Sequence, residues 1–128
     1  MVLDSLSQYS NWGFFILRLS VAIIFLYHAY PKLTKPAMMA KGMGWSASSI
    51  MLLGFVEAVG ALSVLFGVYT QAGALLLGLV MIGAIYFKMS KWKVPFSAMD
   101  KMGWEFDLIL LAASIAILFG AIGTYVLI

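Results

Sequence analysis

Cysteine is absent from this chain, which removes disulfides, thiolate-bound zinc, iron-sulfur clusters and haem attachment through a CxxCH motif. Histidine occurs once, at His28, so one chain supplies neither bis-histidine haem ligation nor a three-histidine metal site. A metal would need carboxylates or a partner chain, and no haem or metal is expected from this chain alone. Charge is scarce as well, since only 10% of the 128 residues are Asp, Glu, Lys or Arg. There is no Ser-His-Asp arrangement, P-loop or glycine-rich nucleotide fingerprint, so hydrolase and nucleotide chemistry lack their residues. The net charge of +3 comes mostly from lysines between apolar runs. It reports membrane orientation and contact with anionic lipid, with no nucleic-acid signature.

What is present is apolar. Hydrophobic residues make up 64% of the chain and the mean hydropathy is +1.05, outside the range of ordinary globular domains. The chain is therefore an integral membrane protein with the lipid bilayer as its first partner. Apolar spans of about 20 residues each use up most of the length. The fold class expected is all-α, a four-transmembrane-helix bundle in one membrane domain, 1–128, with spans at about 13–30, 49–67, 72–89 and 103–127. The start, MVLDSLSQYSNW, lacks the positive n-region of a signal peptide, so the first apolar run is expected to stay as an anchor.

Span one carries Trp12 at one interface and Tyr27 and Tyr30 at the other, and Pro31 and Pro36 are expected to end it. The segment PKLTKPAMMAKGMGWSASS reads as a loop with an interfacial turn, Met38, Met39, Met43 and Trp45 dipping into the headgroups. Lipid contact or packing explains these methionines better than copper ligation. Ser46, Ser48 or Ser49 can cap span two. The short link at 68–71 makes spans two and three an antiparallel hairpin. Lys88, Lys91, Trp92 and Lys93 mark the exit of span three, where lysine stems can snorkel, and Ala112, Ala116, Gly120 and Thr124 offer a packing stripe on span four. Both lysine-bearing loops are assigned to the cytoplasm and both termini to the outside.

The functional signal lies in ionisable residues within the spans. Glu57 sits near the middle of IMLLGFVEAVGALSVLFGVY, on one stripe with Gly54, Gly60, Ala61 and Val64. A carboxylate at that depth costs a few kcal/mol on insertion scales, so it should face protein, find a partner or stay protonated. Arg18 lies about six residues, or ~9 Å of rise, inside span one. Phe25, His28 and Lys32 return to its sector of the helix. Glu105 and Asp107 stand about 200° apart, so both cannot face the core. Glu105 is assigned the inward role and Asp107 the helix N-terminus, where the dipole favours a carboxylate. Arg18, Glu57, His28 and Glu105 would then form a polar ladder. It suits a proton path or a quinone-headgroup site, and equally a salt-bridge network that fixes packing.

RLSVAIIFLYHAYPKL, GFVEAVGALSVLFGVYTQAGALLLGLVMIGA and MGWEFDLILLAASIAILFGAIGTY together resemble the DoxX family of small four-helix membrane proteins. The resemblance covers most of the chain in order. It carries over Arg18, His28, Lys32, Glu57 and Glu105 as polar positions. Many relatives have His-Gly where this chain has His28-Ala29, and the aromatic after the last Glu is Phe106 here. The resemblance implies a subunit associated with a quinol oxidase or a thiosulfate:quinone oxidoreductase, or a membrane partner of redox or detoxification enzymes.

The expectation is a membrane subunit of a quinone-linked redox system. Glu57 and Glu105 are its candidate proton-transfer groups, Arg18, His28 and Lys32 its candidate ligand-binding groups, and Arg18 the counter-ion of Glu57. The alternatives are a non-catalytic assembly subunit of a larger membrane complex, and a small transporter or proton path. In none of these is the chain more of an enzyme than a quinone-binding or non-catalytic subunit of an oxidoreductase. A homo-oligomer or hetero-complex in the cell membrane is expected, and any electron transfer needs a bound quinone or partner proteins.

Overall fold

The computed structural model describes residues 4–97, 99 and 103–120. A short 3-10 helix, Asp4–Tyr9, leads into α1, Ser10–Thr34. Pro31 does not end α1. Its fixed φ fits the helix, and its missing N–H forfeits only one backbone bond. The break comes at Lys35 instead, where φ is −135°, because Pro36 keeps the residue before it out of the helical region. Pro36 then starts α2, Pro36–Met43, at the position where a proline costs least. The expected loop is thus a two-turn helix, closed by Gly44 at φ 73°, a left-handed conformation that favours glycine.

Ser46 begins α3, Ala47–Phe66, by accepting the N–H of Ser49 at 3.2 Å. Gly67 (φ 69°) ends it and Tyr69 (φ 51°) completes the link to α4, Thr70–Tyr86. The chain continues from α4 into a π-helical turn, Phe87–Lys91, in which the N–H of Trp92 reaches back five residues to the carbonyl of Phe87 at 2.8 Å. After an irregular segment comes α5, Trp104–Gly120. The expected remainder of span four, 121–127, with Thr124 of its stripe, lies outside the described residues, as does Lys101.

The four long helices close a ring in which α1 packs on α3, α3 on α4, α4 on α5 and α5 back on α1, with α2 laid against α3 and α1. Every neighbouring pair is antiparallel. Lys32 meets Gly54 while Arg18 meets Val64, Gly60 meets Gly73, Gln71 meets Leu118 while Lys88 meets Asp107, and Phe14 meets Gly120 while His28 meets Phe106. The core includes Val21, Phe25, Ala61, Val64, Leu77 and Ile117, drawn from all four helices. The stripe read on α3 is the buried one, since Gly54, Glu57, Gly60, Ala61 and Val64 all face inward. On α5 the expected small-residue stripe is not the inner face, although Gly120 packs closely on Phe14. Ala112 and Gly120 are exposed and Ala116 is half-buried. Asp107, Leu110, Ser114 and Ile117 form the inner face.

α1, α3 and α4 with its π turn are long and apolar enough to cross a membrane, with mean hydropathies of 1.7, 2.1 and 1.9 over their apolar windows. α5 adds 17 described residues of the same character. The outward faces are apolar, with Ile23, Leu52, Leu79 and Ile109 exposed, as a bilayer and not water requires.

Candidate functional site

At the end of the ring where α1 finishes and α5 begins lies a cavity of about 380 Å³. Its polar lining consists of His28 and Lys32 from α1, Glu57 from α3, Lys88 from the π turn and Asp107 from α5. Leu53, Leu79, Val80, Met81, Gly83, Ala84 and Leu110 supply an aliphatic wall. Phe25, Trp45, Phe87, Trp92 and Phe106 supply an aromatic one, and Met39 from α2 joins them.

Each polar group has a local reason to be there. Lys32 is only 9% exposed. Its Nζ donates to Glu57 Oε2 at 3.2 Å and to the His28 carbonyl at 3.1 Å. Gly54 makes this approach possible, since a Cβ there would stand 2.7 Å from Lys32 Cβ and 3.3 Å from the Ala29 carbonyl. Ala29 is itself buried in the same contact. Glu57 is 3% exposed, and the ion pair meets the requirement that a carboxylate at this depth find a partner. That partner is Lys32. The expectation of Arg18 as counter-ion is corrected. Seven residues, or ~10 Å of helix rise, separate Glu57 from Val64, whose carbonyl accepts the Arg18 Nε–H at 3.0 Å. Arg18 is buried at the opposite end of the bundle, its guanidinium carbon 5.8 Å from the centre of the Phe15 ring.

The second ion pair was not legible in advance. Lys88 Nζ lies 2.7 Å from Asp107 Oδ2, and Asp107 is 5% exposed. The roles expected for the two acids of α5 are thereby exchanged, because Glu105 is exposed and Asp107 faces the core. The helix start needs no carboxylate there. The carbonyls of Pro95 and Phe96 accept the N–H groups of Trp104 and Glu105 at 3.2 and 2.9 Å, satisfying donors a capping side chain would otherwise serve. Gly103 permits the turn, since a Cβ at that position would overlap the Phe96 carbonyl. Lys88 is likewise turned inward rather than snorkelling, at the π turn that α4 ends in. Such turns recur at functional sites. The signal for Asp107 was its spacing to Leu110, Ser114 and Ile117, three, seven and ten residues on.

The ladder therefore becomes a cluster. The structure brings His28, Lys32 and Glu57 together and adds Lys88 and Asp107, while Arg18 stands apart and Glu105 points outward. His28 lies within electrostatic range of Lys32, Lys88 and Asp107, and its ring packs against Phe106 at 5.4 Å. Trp45 stacks edge-on against Phe87 at 5.0 Å, and Phe87 lies 5.6 Å from Trp92. A mostly apolar cavity with a few convergent polar groups suits a small ligand with a flat apolar body and polar edges. Among the described residues, no group of three or more His, Cys, Asp or Glu could hold a metal ion.

Comparison with curated proteins and with solved structures gives no match. The DoxX family model matches residues 13–90. That stretch holds α1 from Gly13 on, α2, α3, α4 and most of the π turn, and with them His28, Lys32, Glu57 and Lys88, so three walls of the cavity fall within the matched region. The chain belongs to the DoxX family.

Proposed function

We propose that this chain is a membrane subunit of a quinone-linked redox system, and that the cavity between its two ion pairs takes the quinone headgroup. The observation that carries this reading is the pairing of Lys32 with Glu57 and Lys88 with Asp107 around a mostly apolar cavity of about 380 Å³ with one aromatic wall. A quinone, when bound, supplies two-electron redox chemistry coupled to two protons. The chain's own residues hold and orient it. The ring lies against the aromatic wall, Lys32 and His28 offer polar contacts at one edge, and Glu57 holds or passes a proton through Lys32. Glu105 takes no part in this version, and Arg18 belongs to packing at the far end.

The same reading has the chain crossing the bilayer four times, α5 included, with the lysine-bearing end in the cytoplasm and the termini outside. The cavity then opens at the cytoplasmic end, where a partner enzyme would deliver electrons. The partner arrives as part of an oligomer or a hetero-complex in the cell membrane.

The test is purification from the native membrane, followed by comparison of wild type with Glu57→Gln. The variant should assemble with whatever co-purifies and lose quinone-dependent turnover; normal turnover would remove the mechanism. A second reading has its own support, because each ion pair joins two neighbouring helices, α1 with α3 and α4 with α5. In that reading the cluster only fixes packing in an assembly subunit. Glu57→Gln then lowers thermal stability, while the complex that forms keeps its specific activity.

A further inference from the structure

Resting on the quinone reading, we infer that Lys32 and Lys88 act as two opposed hydrogen-bond donors, so that the cavity selects a neutral ring with carbonyl acceptors on opposite edges. The argument is one of placement. In the ring of helices, α1 packs on α3 and α5 but α4 stands across from it, so Lys32 on α1 and Lys88 at the end of α4 approach the cavity from diagonal corners. Both line it. Each is held by a carboxylate from the intervening helix, Glu57 at 3.2 Å and Asp107 at 2.7 Å. An ammonium has three N–H donors, enough to serve a carboxylate and a ligand together.

The charge balance decides the class of ligand. Two lysines and two carboxylates leave the cluster with no net charge. A dicarboxylate or phosphate entering between them therefore gains attraction from the ammonium groups and repulsion from the carboxylates, on top of its own desolvation. A neutral dicarbonyl ring has no charge to strip of water. It accepts one charge-assisted hydrogen bond at each edge, while its faces meet the aromatic wall. A ring with one carbonyl satisfies only one corner. Lys88 and Asp107 are thus specificity-determining residues, on the same footing as Lys32 and Glu57.

The test uses the full chain in lipid nanodiscs with Trp12 and Trp104 changed to phenylalanine, so that quenching reports Trp45 and Trp92 at the cavity. The probes are a decyl-substituted 1,4-benzoquinone and 4-decylacetophenone, which carries one carbonyl. To keep the fold and the charge balance, each pair is neutralised as a unit, Lys32→Met with Glu57→Gln and Lys88→Met with Asp107→Asn, and folding is checked by thermal melting. Wild type should bind the benzoquinone about tenfold or more tightly than the acetophenone, and either double variant should lose about tenfold in benzoquinone affinity. Unchanged benzoquinone binding in the Lys88→Met, Asp107→Asn protein, with binding lost in the other double variant, overturns the two-donor inference and leaves the cavity reading standing. No benzoquinone binding by wild type overturns the cavity reading itself, and this inference with it.

Discussion

At the residue scale, the informative side chains are the few that a bilayer should reject. Glu57 and Lys32 are tolerated because each cancels the other's charge at 3.2 Å in a place where water is scarce. Such a pair contributes little net stability over a well-packed apolar pair, yet it punishes removal of one member. Lys32→Met should therefore destabilise the protein by about 3–5 kcal/mol in detergent unfolding, because it leaves Glu57 buried and alone. Adding Glu57→Gln should recover most of that loss. A double variant as unstable as the single one would mean that the loss does not come from leaving the Glu57 carboxylate uncompensated. The acids of α5 differ in the same way. Asp107→Asn breaks the contact with Lys88 and should cost about 3 kcal/mol, whereas Glu105→Gln on the exposed face should stay within about 0.5 kcal/mol of wild type. Equal effects in thermal unfolding would contradict the burial of the two side chains.

At the scale of the element, glycine sets how closely the helices approach. A Cβ on Gly73 would lie 2.7 Å from Ser63 Cβ and 2.9 Å from the Gly60 carbonyl, so α3 and α4 touch almost backbone to backbone. Without a hydrophobic force between helices in lipid, contacts of this kind carry the association. Gly73→Val should push the hairpin apart and cost about 1–3 kcal/mol, readable as a lower melting temperature. Gly83→Val should cost far less, since a Cβ there meets nothing within 4 Å. Gly83 and Ala84 have another effect, since both line the cavity. The glycine face of α3 was visible as spacing along one helix and the hairpin as a short link, while Ser46 was one of three candidate caps. The π turn was not, because nothing in FKMSK distinguishes i→i−5 bonding from a fraying helix end.

At the scale of the whole molecule, an antiparallel ring with an apolar exterior places the ionisable cluster at one end and Arg18 toward the other. α1, long and apolar enough to cross, puts the start of the chain at the end of the bundle opposite the lysine-bearing one. The lack of cysteine makes this simple to check, because a single introduced thiol is the only one present. Ser5 and Ser90 are both exposed. A membrane-impermeant maleimide applied to whole cells should label the Ser5→Cys protein, and should reach the Ser90→Cys protein only after lysis. Labelling of both from outside would refute the three crossings of α1, α3 and α4 between those positions and the bilayer faces assigned to them.

Composition alone determined that the chain lives in a membrane as helices. The reason is that a backbone in lipid must satisfy its own hydrogen bonds, and long apolar runs leave it no other way to do so. Periodicity along single helices also determined which faces of α1 and α3 turn inward, because depth makes an exposed charge expensive whatever the neighbours are. Who pairs with whom depends on the heights at which antiparallel helices meet, and those are set by the glycine contacts between α1, α3 and α4. Only the tertiary structure could decide that Glu57 meets Lys32 rather than Arg18, that Asp107 rather than Glu105 faces the core, and that Lys88 closes the second corner of the cavity.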